Sequence, residues 1–210
     1  MSALAYIRDP QEITRASFAM IAREAGLDRL PPERRAIAGR VVHGCGMAEV
    51  AGLLAWRGDP DAAGRRALAA GAPVLTDSRM VAAGISAPAG VAAPRVVCRL
   101  GAADLAATAE SSGISRSAAA VDLWRPDLAG AVVAIGNAPT ALFRLLERLT
   151  EWPERPAVIL AFPVGFVGAA ESKQALIDSG LDVPFVTLPG RLGGSAMAAS
   201  AVNALLRGAP

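Results

Sequence analysis

The sequence predicts an α/β protein: a Rossmann-like, mainly parallel sheet of about five strands flanked by helices, with a helical N-terminal extension. From residue 72 onward, short continuous apolar runs alternate with helical segments. That rhythm belongs to parallel strands buried on both faces and joined by helical crossovers. Three of the runs end in small-residue turns that lead directly into a helix, as strand-to-helix connections do. A length of 210 residues fits one domain, residues 1–210, with enough chain to bury a core.

The first 70 residues read as helical. Pro10 to Ala25 carries Ile13, Phe18, Ile21 and Ala25 near helical spacing, and Pro10 suits a first turn. Pro31 and Pro32 open a second helix that runs through Ile37 and Val41 to His43, where Gly44 and Gly46 are expected to interrupt it. His43 then lies near a helix C-terminus, where the macrodipole favours a cation. Asp61 to Ala70 reads as a third helix, stopped by Gly71. The expected strands are Ala72–Thr76, Val96–Leu100, Val132–Ile135, Val158–Ala161 and Phe185–Leu188. Between and after them, helices are expected at Ser78–Ala83, Ser115–Arg125, Thr140–Leu149, Ala169–Ser179 and Ser195–Leu206. The Pro/Gly/Ala stretch Ser86–Pro94 reads as a loop. The last helix is rich in small residues, which permit close helix approach either within the fold or across a dimer.

Composition removes several function classes. Hydrophobic content of 53% with 19% charge excludes disorder. A formal charge of +2 and 4% aromatic residues argue against nucleic acid as a partner. No apolar run of membrane-spanning length is free of turn residues, so no membrane span is expected. The segment Met1 to Pro10 carries Arg8 and Asp9 and no apolar h-region, so a secretory leader is not expected and the cytoplasm is the expected compartment. Cys45 and Cys98 lie among apolar or small residues and read as reduced, structural thiols.

Two single-copy residues stand out. Lys173 is the only lysine and His43 the only histidine, and each is set among glycines. Histidine is the side chain that titrates near neutrality unperturbed, so a proton step at neutral pH would most naturally use His43. Lys173 closes the run Phe162 to Lys173, one of three turns at strand ends; the others are Gly136 to Thr140 and Gly190 to Ser195. Glycine lets a ligand approach the backbone, and amides at a helix start attract anions, so the three turns suit a multiply anionic ligand. Glycines can equally serve only to make the turns tight. None of the turns has the spacing of a P-loop or of a dinucleotide fingerprint, which leaves a nucleotide reading weak. One histidine and two scattered cysteines do not assemble a metal site, and no Gly-x-Ser-x-Gly elbow supports a nucleophile. Arg40 lies three residues before His43 on roughly the same helix face, and Arg116 opens the helix at Ser115.

Several long strings resemble the precorrin-8X methylmutase family over nearly the whole chain. They are Tyr6-Ile7-Arg8-Asp9, Val42-His43-x-Cys45-Gly46, Gly71-Ala72-Pro73-Val74-Leu75-x-Asp77 and Arg116-Ser117-Ala118-Ala119-Ala120. They continue with Ala134 to Phe143, Pro163 to Lys173 and Gly190-Arg191-Leu192-Gly193-Gly194-Ser195-Ala196-Met197. The weakest stretches, Ala48–Arg57 and Ser86–Pro94, look like variable surface. The resemblance implies an isomerase of vitamin B12 biosynthesis that moves a methyl group from C-11 to C-12 of precorrin-8X, giving hydrogenobyrinic acid. Such a 1,5-sigmatropic shift implies no cofactor and no metal, and protonation of the ring system would lower its barrier. By matching position, the resemblance places His43 at the ring as the acid and Ser17, Arg40, Arg116, Asn137 and Lys173 in the substrate-binding shell. It also implies a polyanionic tetrapyrrole as substrate and product, and a homodimer with the site near the subunit interface. The Val42-His43-x-Cys45-Gly46 segment looks more like the aerobic, metal-free type than the cobalt-precorrin-8 methylmutase of the anaerobic pathway. The rival from another class is a non-catalytic corrinoid carrier.

Overall fold

A computed structural model describes residues 4 and 6–207, so both ends of the expected 1–210 domain lie outside the described residues. In chain order the elements are α1 (Pro10–Glu24), α2 (Pro32–Cys45), α3 (Val50–Leu53), β1 (Ala55–Arg57), α4 (Pro60–Ala69), β2 (Val74–Thr76), α5 (Arg79–Gly84) and β3 (Val96–Cys98). There follow α6 (Leu105–Ser111), α7 (Arg116–Asp122), α8 (Arg125–Leu128), β4 (Val132–Ile135), α9 (Pro139–Glu151), β5 (Val158–Ala161), α10 (Ala169–Asp178), β6 (Phe185–Thr187) and α11 (Ser195–Arg207).

Among the described residues the strands form one six-stranded sheet in the order β1-β6-β5-β4-β2-β3. Every neighbouring pair is parallel except β1 with β6. In register, Val74 faces Val132, and Val132 faces Val158. Alternation along each central strand divides the core. Val132, Ala134, Val158 and Leu160 point to the face covered by α2, α4 and α11, while Val133, Ile135, Ile159 and Ala161 point to the face covered by α7, α9 and α10. Both faces are dry, which is why β4 and β5 read as unbroken apolar runs rather than alternating ones.

The sheet has one strand more than the expected five. The additional strand, β1, lies in the stretch that looked like variable surface. It is a three-residue, half-buried edge strand, too short to show a periodicity. Arg57 fastens it: Nη1 donates to Leu181 O at 2.8 Å and Nη2 to Ile177 O at 3.0 Å. The helix expected over Ser115–Arg125 divides into α7 and α8 at Leu123 and Trp124. Leu105–Ser111, read as no element in the sequence, is helical.

The N-terminal helices are built into the fold. Ile37, Ala38 and Val41 of α2 belong to the core cluster that contains β4, β5 and α11. α2 and α11 touch nearly backbone to backbone: a Cβ on Gly44 would collide with Ser200 Oγ and lie 3.2 Å from Ala196 O. The small residues of α11 therefore serve close packing within the fold. α2 runs through Gly44 and ends at Cys45, where Gly46 adopts φ 71° and its N–H donates to Val42 O at 2.8 Å. Glycine takes that left-handed turn without a Cβ penalty. Among the described residues no helix is long and apolar enough to cross a membrane.

Candidate active site

The turns after β2, β4, β5 and β6 are knitted together at the carboxyl edge of the sheet. Asp77, directly after β2, accepts three backbone hydrogen bonds from the turn after β4. Gly136 N donates to its Oδ1 at 2.9 Å, and Asn137 N and Ala138 N donate to its Oδ2 at 2.9 and 2.7 Å. Burial pushes the Asp77 carboxyl above the usual carboxylate range, and the three amides pull it back. Ser78 Oγ lies 3.3 Å from Ser195 Oγ at the start of α11. Gly194 N donates to Phe162 O at 2.8 Å, which ties the β6 turn to the β5 turn. Gly193 sits so close to that strand end that a Cβ would lie 2.6 Å from Pro163 O. This is one position where glycine is required by space.

This network corrects one expectation. The amides of Gly136, Asn137 and Ala138, expected to face an anionic ligand, are satisfied inside the protein by Asp77. Sequence reasoning quoted Asp77 only as part of a motif. The signal that could have found it is a carboxylate placed immediately after an apolar strand, where a buried acid needs donors.

His43 sits in the last turn of α2. Its neighbour Gly44 is seated against Ala196 and Ser200 of α11, the helix that starts from the β6 turn. Two residues of α1 contact it, and Arg40 of α2 packs on one of them. Ser17 Oγ lies 3.2 Å from His43 Nδ1. The Phe18 ring stacks on the imidazole with centroids 5.0 Å apart and planes 21° from parallel. The Arg40 guanidinium lies 4.9 Å above the Phe18 ring, in cation–π contact. Arg40 Nε is buried and has no hydrogen-bond partner among the described residues. Burial and, second, the charge of Arg207 lower the Arg40 pKa.

Two hollows flank this group. One of about 180 Å³ is lined by Ser17, Met20, Val42 and His43. The other, about 590 Å³ and mostly apolar, runs between α1 and α2 past Arg15, Phe18 and Arg40.

Arg116 and Asn137 come together elsewhere on the same edge. They line a cleft of about 520 Å³ with Ser78, Arg79, Met80 and Leu100. Lys173 lies apart from both groups. Expected to face the ligand, it is fully buried, and its Nζ donates to Leu192 O in the β6 turn. Burial lowers its pKa from 10.5 to about 8. Thus Ser17, Arg40 and His43 form one cluster, Arg116 and Asn137 a second, and Lys173 braces a turn from behind. Cys45 and Cys98 are both free thiols.

The family model for precorrin-8X methylmutase matches residues 12–208. The precorrin-8X methylmutase of Pseudomonas aeruginosa is 54% identical over 200 residues, covering 95% of this chain and 96% of its own. That of a Sinorhizobium species is 50% identical over 202 residues, covering 96% of each chain. The cobalt-precorrin-8 methylmutase of Salmonella typhimurium is 38% identical over 209 residues, again covering 96% of each. A crystal structure of precorrin-8X methylmutase from Thermus thermophilus superposes with a TM-score of 0.84 at 34% identity, covering 94% of this chain and 95% of that one.

Proposed function

The chain belongs to the precorrin-8X methylmutase family, isomerases of cobalamin biosynthesis that move a methyl group within their substrate, and we propose that it does so on metal-free precorrin-8X with His43 as the acid. The observation that carries this reading is the arrangement Ser17–His43–Phe18. The Ser17 hydroxyl engages Nδ1, Phe18 fixes the ring plane, and Nε2 has no partner among the described residues. A protonated imidazole donates from both nitrogens, so with Nδ1–H on Ser17 the Nε2–H is free to serve a ligand. The greater likeness to the two relatives named for the metal-free substrate supports that substrate over the cobalt form.

In this mechanism His43 lends a proton to the conjugated macrocycle, the bond from the methyl group to C-11 breaks as the bond to C-12 forms, and the proton returns. Atoms and electrons balance within one molecule, as an isomerisation requires. The substrate rim carries acetate and propionate carboxylates. Arg40 beside the ring and Arg116 with Asn137 in the cleft supply cationic and amide partners for that rim, and planar guanidinium forks suit carboxylates. Lys173 contributes by holding the β6 turn in place. A homodimer in the cytoplasm is part of the same reading. Ile13 and Met20, seven residues apart on α1 and about half exposed, give an apolar surface beside the His43 hollow on which a second copy could close.

The test is single-turnover visible absorbance after mixing the protein with metal-free precorrin-8X under exclusion of oxygen. Wild type is expected to convert it to hydrogenobyrinic acid. His43→Ala is expected to bind with a spectral shift but to convert at least about a hundredfold more slowly, the usual scale of a lost general acid. Binding by wild type without conversion would show a carrier. Near-wild-type turnover by His43→Ala would remove the imidazole from the chemistry.

A further inference from the structure

Several arginines of this chain are neutralised: Arg65 pairs with Asp61, Arg95 and Arg99 with Asp127, and Arg144 and Arg148 with Asp122. The cleft at the carboxyl ends of β2 and β4 brings together two that are not. Among the described residues neither Arg79 nor Arg116 has an acidic partner, and no carboxylate lines the cleft between them. Asp77, next in sequence to this wall, is buried, turns its oxygens to three backbone amides and forms no ion pair with either arginine.

Arg79 opens α5 with its side chain exposed, and its guanidinium lies beside Gly101. A Cβ added at Gly101 would come 2.9 Å from Arg79 Nη2. Met80, 73% exposed, and Leu100 give the same cleft apolar walls. Two permanently charged forks and two apolar side chains around one opening suit the edge of a flat apolar ring that carries carboxylate arms.

We propose that Arg79 is a substrate-binding residue that forms, with Arg116, a two-guanidinium clamp on neighbouring carboxylate arms of the tetrapyrrole rim, and that Gly101 is the seat that keeps Arg79 in the cleft. The inference rests on the methylmutase reading above. It adds a residue that selects for free carboxylates at that edge of the substrate.

The experiment compares two ligands by visible-absorbance titration: hydrogenobyrinic acid, and the same corrin with its acetate and propionate arms converted to primary amides. Arg79→Ala is expected to weaken the carboxylated corrin by about tenfold, the worth of one lost charge-assisted fork. Against the amidated corrin it should change affinity by less than about twofold. Gly101→Ala should act in the same direction as Arg79→Ala, since the new methyl displaces only the flexible end of Arg79. Arg79→Lys, which keeps the charge and loses the fork, should fall between. Far-ultraviolet circular dichroism and an unchanged urea midpoint would confirm that the variants are folded. Equal weakening towards both corrins, or unchanged binding of the carboxylated one, overturns the clamp while leaving the methylmutase reading intact. If wild type neither binds nor converts the metal-free macrocycle, the substrate reading fails and the clamp fails with it.

Discussion

Ser17 Oγ on α1 stands 3.2 Å from Nδ1 of His43 on α2, joining two helices across 26 positions of sequence. The contact does what a partner on one ring nitrogen does elsewhere: it settles which nitrogen is left free and how the ring is rotated. The Phe18 stack sets the plane of the imidazole, and the hydroxyl sets its rotation within that plane. Together they leave Nε2 without a hydrogen-bond partner among the described residues.

Removing the hydroxyl should therefore damage the chemistry more than the binding. Ser17→Ala is expected to lower the single-turnover rate by about tenfold to a hundredfold, on the scale of a lost orienting partner. Affinity for hydrogenobyrinic acid should change by less than about twofold, since no carboxylate partner is lost. Ser17→Thr keeps an oxygen at that position and should recover most of the rate. A Ser17→Ala rate equal to wild type would show that the stack alone orients the ring. A loss confined to affinity would return Ser17 to the direct binding shell.

Asp77 makes a different kind of prediction. Its carboxylate is the sole shown partner for three backbone amides that approach within 2.7–2.9 Å. Asp77→Ala leaves those of Gly136 and Ala138 buried and unpaired, at about 1–3 kcal/mol each before the turn relaxes, while the exposed Asn137 amide can turn to water. Net destabilisation of about 3 kcal/mol or more is expected, read as a lower urea midpoint at constant slope. Asp77→Asn keeps one good acceptor and should lose less, about 1–2 kcal/mol. A midpoint for Asp77→Ala within about 1 kcal/mol of wild type would mean that water replaces the carboxylate.

How far the sequence carried these conclusions depends on whether a feature is local. β4 and β5 were legible to the residue because burial on both faces leaves an unbroken apolar signature. β1 was not, because three half-buried residues carry no period, and its status as a strand comes from pairing with β6. α6 was hidden for a local reason: it starts from Asp104 at φ 57°, a backbone conformation that side-chain types other than glycine seldom announce. His43 stands out in the sequence as a single copy beside glycines, whereas its contacts with Ser17 and Phe18 come from the packing of α1 on α2. Asp77 does not stand out, since its partners lie about sixty positions away and no spacing rule links a carboxylate to distant amides. The orientation of Lys173 could have been read. Ala169, Ser172, Lys173 and Leu176 form the i, i+3, i+4, i+7 stripe of an inward helix face, and those are the residues of α10 that are buried.

That buried lysine gives the last prediction its sign. Burial lowers Lys173 from 10.5 to about 8, so the folded protein releases this proton at lower pH than the unfolded chain does. Between those two values the unfolded state binds more protons, and stability from this group rises with pH. Below about 8 both states are protonated and the penalty of burying the ammonium is constant. Lys173→Met, similar in length and uncharged, has no such dependence. Its stability advantage over wild type should be largest near about pH 7 and should shrink steadily towards about pH 10, as read from urea midpoints. A gap that stays constant over that range would mean the ammonium is solvated in the folded protein. Salt dependence of ligand binding by the same variant separates the two roles for Lys173. A side chain touching a substrate carboxylate loses more affinity at low salt than at high salt. A buried strut on Leu192 O weakens binding equally at both, because what it supplies is the shape of the β6 turn.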